Sequence, residues 1–171
     1  MAADIANKAV TIANRPTAII IQEFSQFALL YPHIKVPFVF AHGGMNGFIE
    51  NEETSNLLAG IPNEYKKMDA EDAIKKFNSG EVKLIIGTSA VSTGVDLKPT
   101  QCLIYLQGGS SEIKVKQAIG RGTRMGVPNK KDCWMVDFIV KGSKTLVRHA
   151  LARKKMYEEL IGEVDIIGDY T

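Results

Sequence analysis

Five short runs of mostly apolar residues constrain the fold of this chain more than any other feature. They cover residues 17–21, 37–41, 82–86, 102–106 and 133–140, and segments with helical periodicity separate them. Runs of this length and composition are typical of strands that are buried on both faces, as strands are in parallel sheets. The alternation of strands and helices predicts right-handed crossovers and a three-layer α/β fold, in which a central, mainly parallel sheet has helices on both faces.

The length of 171 residues fits one domain. We predict a single domain over residues 1–171, with a leading helix over 1–14, an insertion or long connection over 45–67, and a C-terminal helix over 143–162. Hydrophobic residues make up 45% of the chain and charged residues 23%, which excludes wholesale disorder, collagen and disulfide scaffolds. The net charge of +2 is too small to indicate a nucleic-acid partner by itself.

Cysteine usage and the length of the apolar runs predict the compartment. Cys102 and Cys133 are far apart in apolar surroundings. They fit buried thiols in a reducing compartment better than a disulfide or a metal site, so a cytoplasmic location is predicted. Each apolar run is much shorter than the roughly 20 residues that a membrane-spanning helix needs, and no membrane partner is expected.

Polar residues and glycines follow the predicted strands, at the point where each strand ends. They are Gln22, His42-Gly43, Thr88-Ser89, Gln107-Gly108 and Gly142. Because ligands of open α/β sheets bind outside the carboxyl ends of the strands, this edge is the expected binding edge.

The segment 117–124 carries the most specific pattern. On a helix, Gln117, Arg121 and Arg124 fall at i, i+4 and i+7, on one face. Two guanidinium groups one turn apart repel each other unless an anion lies between them, and arginine's planar fork suits phosphate oxygens. Gly120 and Gly122 cost a helix up to about 1 kcal/mol each, which close approach of a ligand would explain. Phosphate binding is therefore favoured over a solvated basic helix end whose glycines mark the C-cap.

A second segment, residues 88–96, follows a buried strand directly. Its four hydroxyl groups and backbone N–H groups are the kind of donors that contact phosphates without reading bases. Gly94 permits a backbone conformation that is closed to other residues, and Asp96 places a carboxylate just beyond it. A Ser/Thr-rich turn capped by Asp96 is the alternative interpretation of this segment.

Taken together, these two segments resemble motifs V and VI of superfamily-two helicases, in the second RecA-like domain of that family. Gly87-Thr88 through Asp96 looks like motif V, and Gln117 through Arg124 looks like motif VI. His42-Gly43 and the segment 77–80 fit the same pattern. The resemblance covers roughly residues 15–140. It departs from the family at Lys66-Lys67-Met68-Asp69, where an arginine is common, and in the length of the 45–67 stretch.

The resemblance implies roles for individual residues. Arg121 and Arg124 match the catalytic arginines that reach the γ-phosphate of ATP, with Arg124 as the arginine finger. The implied ATP-binding residues are Gln117, Gly94, Asp96 and Gly120. The implied nucleic-acid-binding residues are Thr88, Ser89, His42 and Gly43. The cofactor would be ATP with Mg²⁺, bound mainly by an N-terminal RecA-like domain, and the other partner would be a DNA or RNA backbone, with DNA the first expectation.

The sequence lacks the phosphate-cradling loop G-x-x-x-x-G-K-[ST] that a helicase motor needs. We therefore expect a C-terminal motor domain of an ATP-dependent helicase or translocase, inactive as an ATPase when alone. One alternative is a non-catalytic nucleic-acid-binding or regulatory module of the same fold. Another is a self-contained nucleotide-dependent enzyme that uses Gly142–Thr145, the nearest likeness to the missing loop.

Other residues receive structural interpretations. The last predicted helix is basic in its first half, and a docking helix with a solvated charged face is favoured over a DNA-facing surface. The cations in question are Lys144, Arg148, Arg153, Lys154 and Lys155. Trp134 is expected in the core, and Asp137 is expected to be structural rather than a metal ligand. His33 and His149 lack neighbours at ligand spacing, so no metal site is predicted.

Overall fold

A computed structural model of the protein describes residues 1–43, 56, 59–88, 96–122 and 132–167, with the side chains of Arg121 and Gly122 excepted. Its five strands form one sheet in which every neighbouring pair is parallel. The order across the sheet is β2-β3-β1-β4-β5. The strands are β1 (Thr17–Ile20), β2 (Val39–Ala41), β3 (Leu84–Gly87), β4 (Cys102–Tyr105) and β5 (Trp134–Val136).

Helices cover both faces of the sheet. The described helices are α1 (Ala2–Thr11), α2 (Phe24–Leu30), α3 (Asn63–Lys66), α4 (Ala70–Ser79), α5 (Glu112–Gly122) and α6 (Lys144–Ile161). Buried residues of α1 and α2 pack on one sheet face, and buried residues of α4 and α5 pack on the other. Helix α6 packs on α5 through Val115, Ile119 and Tyr157. The predicted three-layer, parallel α/β fold is confirmed.

Local sequence signals account for both ends of α4. Asp69 caps α4, because its Oδ1 accepts hydrogen bonds from the amides of Glu71 and Asp72 at 2.9 and 3.1 Å. Gly80 ends the same helix in the left-handed region, with φ of +81°, where glycine is the favoured residue. The boundaries of α6 agree with the predicted C-terminal helix. The predicted insertion at 45–67 is described only at residue 56 and from residue 59 onward, where it contains α3.

The fifth strand differs from its prediction. The pattern predicts a buried strand over 133–140 with Trp134 in the core, but β5 has three residues and Trp134 is 45% exposed. Trp134 is exposed because β5 is at an edge of the sheet, where among the described strands it pairs with β4 on one side and has no neighbour on the other. The guanidinium carbon of Arg15 lies 3.9 Å from the centroid of the Trp134 ring and covers it instead.

Candidate functional site

The residues predicted to hold a nucleic-acid backbone lie at the carboxyl edge of the sheet, where the parallel strands end. His42 follows β2 and Thr88 follows the neighbouring β3, and the Thr88 amide donates a hydrogen bond of 3.2 Å to the carbonyl of Ala41. Both side chains are largely buried, whereas Gly43 is exposed. Ser89 lies outside the described residues. The fold therefore brings His42, Gly43 and Thr88 together.

The ring of His42 is built into the fold. Its Nε2 atom lies 3.0 Å from the carbonyl oxygen of Tyr65, and the ring packs against Phe24 and Phe40 at centroid distances of 5.5 and 4.8 Å. The histidine is 6% exposed. These contacts make His42 a residue that orients the loop after β2, and they leave Gly43 as the part of the His-Gly pair that is open to a ligand.

The middle of the same edge is occupied by glutamines that bond within the chain. Gln107 donates from Nε2 to the carbonyl of Ile21 at 3.1 Å, and Gln22 accepts at Oε1 from the amide of Gly108 at 3.0 Å. Gln26 accepts at Oε1 from the amide of Gln22 at 2.7 Å. These bonds tie the loop after β1 to the loop after β4. The sequence pattern predicts Gln22 and Gln107 as part of a binding edge, but in the structure their side-chain amides bond to neighbouring loops of the same edge.

Helix α5 carries the residues predicted to contact the nucleotide. Its inner side is buried against the sheet and α6 through Val115, Ala118 and Ile119. Gln117 and Gly120 are exposed on the opposite side, and the backbone of Arg121 follows Gln117 by one turn. We call this stripe, Gln117, Gly120 and Arg121, the outer face of α5. Arg124 and Gly94, the other residues of this prediction, lie outside the described residues.

Asp96 is held at a different place, by the last turn of α4. Its carbonyl oxygen accepts a hydrogen bond of 2.8 Å from Nδ2 of Asn78, and Oδ1 of Asn78 accepts from the amide of Lys98 at 3.2 Å. Asn78 follows the fully buried Phe77. Sequence reasoning used the segment 77–80 only as part of a family likeness, and it missed Asn78 as the residue that fixes the end of the 88–96 loop.

The topology separates the predicted residues into two groups. The chain between two parallel strands must run back from the carboxyl edge to the amino edge of the sheet. Helix α4 ends at Ser79, just before β3 begins at Leu84, so Asn78 and the Asp96 backbone that it holds lie towards the amino edge. His42 and Thr88 follow β2 and β3 at the carboxyl edge. Asp96 is thus held apart from His42 and Thr88.

A buried ion pair joins α6 to the end of β5. Arg153 donates from Nε and Nη2 to the two carboxylate oxygens of Asp137, at 2.7 and 3.0 Å, and from Nη1 to the carbonyl of Gly109 at 2.6 Å. The hydroxyl of Tyr157 donates to Oδ2 of Asp137 at 2.7 Å. We call Gly109, Asp137, Arg153 and Tyr157 the anchor cluster. It links α6, β5 and the loop that begins α5.

The anchor cluster corrects one expectation and supports another. Arg153 was expected on a solvated charged face, but it is 5% exposed, because its three donor groups are all used inside the fold. Asp137 was expected to be structural, and its described partners are all within the chain. Among the described residues, no three His, Cys, Asp or Glu side chains come together as a group that could hold a metal ion.

Burial and neighbouring charges shift the pKa values of Arg153, Tyr157 and Cys102. Burial opposes the charge of Arg153, but the hydrogen bonds and the negative charge of Asp137 outweigh it, and the pKa of Arg153 is raised. Burial, and then the charge of Asp137, raise the pKa of Tyr157 well above its usual value. Burial also raises the pKa of the Cys102 thiol to about 11. The cluster therefore stays charged at Arg153 and protonated at Tyr157 at neutral pH.

The two cysteines are free thiols. Cys102 is buried in β4, and Cys133 is partly buried beside β5. Within the described ranges, no helix combines the length and the apolar character that crossing a membrane requires.

Comparison with known proteins places this chain in a family. Residues 4–126 match the sequence model of the helicase conserved C-terminal domain. IRC3 of Saccharomyces cerevisiae, which is named as an ATP-dependent helicase, is 26% identical over 87 residues. This match covers 51% of the chain but only 12% of the length of IRC3.

Solved structures show the same fold. The C-terminal domain of the DEAD-box protein Dbp5 superposes with a TM-score of 0.61 at 14% identity, covering 93% of this chain and 79% of that one. Dbp5 L327V of S. cerevisiae bound to RNA and ADP BeF3 gives the same TM-score and identity, and covers 93% of this chain and 37% of that one. At these identities the likeness concerns the fold. The sequence-family match covers most of the chain, and this protein belongs to the helicase conserved C-terminal domain family.

Proposed function

We propose that this chain is the second motor domain of an ATP-dependent nucleic-acid helicase or translocase, with DNA as the expected nucleic acid. The observation that carries the proposal is the outer face of α5. Gln117 is exposed there, and Arg121 follows one turn later, within the region that the family model matches. The expected partner is an N-terminal RecA-like domain, to which the proposal assigns most contacts with ATP and Mg²⁺.

The outer face of α5 fits the edge of a nucleotide that another domain holds. A Cβ atom added at Gly120 would meet no described atom within 4 Å, so the helix backbone is open to close approach. We assign Arg121 and Arg124 to the γ-phosphate, because guanidinium groups stay charged and match phosphate oxygens. Bound ATP supplies the negative charge that these arginines neutralise during hydrolysis. The remaining residues assigned to the nucleotide are Gln117, Gly94 and Asp96.

The carboxyl edge is assigned to the nucleic-acid backbone. Thr88 and Ser89 would donate to phosphates, and Gly43 would present its backbone, with His42 holding the loop in place. The adjacency of the loops after β2 and β3 supports this assignment. Contacts of this kind tolerate any base sequence and weaken as salt rises.

The experiment that tests the proposal is ATP hydrolysis by the complete helicase, or by this chain with an N-terminal RecA-like domain supplied separately. Arg124→Ala is expected to lower turnover by about 10³–10⁵-fold, the range found for arginine fingers. The control is Lys116→Ala, an exposed cation of α5 that is paired with Glu112 at 2.5 Å, and it is expected to leave turnover nearly unchanged. Near-normal turnover of the Arg124 variant would refute the role.

An ATP titration of the isolated chain separates the alternatives. The proposal predicts weak or absent binding and no useful hydrolysis. Micromolar affinity that depends on Lys144 would instead support a self-contained nucleotide site at Gly142–Thr145. If N-terminal domains of the family all failed to restore ATPase activity, the non-catalytic module would be the better account.

A further inference from the structure

The first half of α6 departs from the charge pattern of the other helices. Four lysines outside this segment pair with a carboxylate four residues away, and these pairs are Lys8–Asp4, Lys116–Glu112, Lys154–Glu158 and Lys155–Glu159. No acidic residue occurs between Asp137 and Glu158. Lys141, Lys144 and Arg148 are all exposed, and none forms an ion pair or a hydrogen bond through its side chain with the rest of the described chain.

The placement of these cations is unfavourable for the domain alone. Lys144 is the first residue of α6, where the helix dipole disfavours positive charge. Lys144 and Arg148 are four residues apart, so two like charges face each other on one side of the helix. Both effects are small, and both destabilise the helix. An anion bound at this end of α6 would remove both.

A groove lies beside these cations. It has a volume of about 550 Å³, and it is open to solvent. Its lining residues are Gly142, Ser143, Lys144, Val147, Arg148 and Leu151. Its lining combines the apolar side chains of Val147 and Leu151 with the cations Lys144 and Arg148. We call it the α6 groove.

The α6 groove is at the carboxyl edge of the sheet. Seven residues separate β5 from α6, since β5 ends at Val136 and α6 begins at Lys144. The anchor cluster then fixes the helix, because Arg153 and Tyr157 bond to Asp137 at the end of β5. Leu146, in the first turn of α6, lines one cavity with Gln107 and Gly108, so the cations of the groove are held on the same edge as Thr88. At roughly 4.8 Å per strand, the four steps from β2 to β5 span about 19 Å.

We propose that the α6 groove is a second contact for the nucleic-acid backbone, with phosphates at Lys141, Lys144 and Arg148 and sugars against Val147 and Leu151. The inference rests on the proposed function, from which it takes the nucleic acid, and it adds a surface outside the segments that resemble motifs V and VI. The cations are spread along the chain, and Lys144 and Arg148 lie about 6 Å apart along the helix axis. That spread suits a row of phosphates better than a single nucleotide.

The test measures binding of the chain to a fluorescein-labelled oligothymidylate of about 16 nucleotides by fluorescence anisotropy, between about 50 and 200 mM salt. The variant is Lys144→Gln with Arg148→Gln, which removes two charges and keeps good helix formers. The control is Lys8→Gln with Lys116→Gln, which removes two charges that are paired with carboxylates. The variant is expected to bind about tenfold more weakly than the control, and its salt slope is expected to be smaller by about 1.4.

Several outcomes would overturn the inference. Equal affinities of the variant and its control would show that only bulk charge matters. Displacement of the oligonucleotide by micromolar ATP would make the groove a nucleotide site, and equal displacement by polyglutamate would make it a site for acidic proteins. Thermal unfolding checks the fold, and the variant is expected to melt at the same or a slightly higher temperature, because it loses a like-charge pair.

A third variant, Thr88→Val, is measured in the same binding experiment and distinguishes this inference from the proposed function. If Thr88→Val weakens binding and the α6 variant does not, the α6 groove is refuted and the proposed backbone contact at β3 stands. If the α6 variant weakens binding and Thr88→Val does not, the groove stands and the backbone role of Thr88 is refuted.

Discussion

The anchor cluster and the outer face of α5 both centre on an arginine in a helix, yet they use their polar groups in opposite ways. Arg153 is 5% exposed, and its donors end on Asp137 and Gly109. On α5, Gln117 is exposed and forms no side-chain hydrogen bond within the described chain, and a Cβ atom added at Gly120 would meet no described atom within 4 Å. Polar groups that are satisfied internally hold the fold together, whereas polar groups left open are available to a ligand.

The same comparison applies to the carboxyl edge. The glutamines after β1 and β4 bond to each other's loops, while Gly43 after β2 is exposed. A polar residue at the end of a strand is therefore not a binding residue by position alone. Three predictions test whether the distinction between internally satisfied and open groups holds, beginning with the largest expected effect.

Asp137→Ala is expected to lower the free energy of unfolding by about 3–5 kcal/mol, because it leaves the buried guanidinium of Arg153 without its partner. Urea unfolding followed by circular dichroism measures the change. The matched control is Asp132→Ala, which breaks the pair with Arg15 where the aspartate side chain is 58% exposed, and about 1 kcal/mol or less is expected. Equal effects of the two substitutions would show that the anchor cluster is no more important than a surface pair.

Alkaline pH is expected to destabilise the buried region. Unfolded Cys102 titrates near its ordinary value of 9.0, whereas folded Cys102 titrates at about 11 and the pKa of folded Tyr157 is also raised. The folded state thus holds more protons above pH 9, so stability is full below pH 9 and falls as pH rises. Cys102 alone accounts for roughly 3 kcal/mol once pH passes 11.

Urea unfolding at a series of pH values between 8 and 11 measures this loss. Cys102→Ala is expected to flatten the pH dependence, and Tyr157→Phe is expected to flatten it further at the upper end. Glu112→Gln, on the solvent-exposed side of α5, serves as the control and is expected to leave the profile unchanged. A profile that is flat in the unmodified protein would contradict the burial of both groups.

Gly120→Ala is expected to stabilise the chain by about 0.5–1 kcal/mol, since alanine is a better helix former and no described atom crowds the site. The same substitution is expected to lower ATP turnover in the complete helicase, because a methyl group would enter the space assigned to the nucleotide. Thermal unfolding and an ATPase assay measure the two effects. Stabilisation without loss of turnover would separate the outer face of α5 from the nucleotide.

Much of the fold can be predicted from the pattern of residues. Four of the five apolar runs contain strands that are buried throughout, and Asp69 and Gly80 mark the ends of α4 through local chemistry. The fifth run could not be interpreted in this way, because a run of apolar residues does not say whether its strand is central or at an edge. For the same reason Trp134 was assigned wrongly, since its cover is the guanidinium of Arg15, a residue far away in sequence.

The candidate site could be predicted only in part. The spacing of Gln117 and Arg121 is a local property of a helix, so the sequence was enough to predict that the two residues lie one turn apart. The role of Arg153 is not local, because its partners Asp137 and Gly109 are brought to it by β5 and the loop after β4. Asn78 was missed as the residue that holds the Asp96 backbone for a similar reason, as the contact crosses from α4 to a segment beyond β3.

The sequence by itself determined which segments become strands and helices, that the sheet is parallel, and which helix carries the arginine pattern, because these depend on periodicity and neighbouring residues. Only the tertiary structure decided which polar groups bond inside the fold and which remain open, and that Asn78 of α4 holds the Asp96 backbone apart from His42 and Thr88. Those properties depend on the strand order and on contacts between residues that are distant along the chain, and no local pattern encodes them.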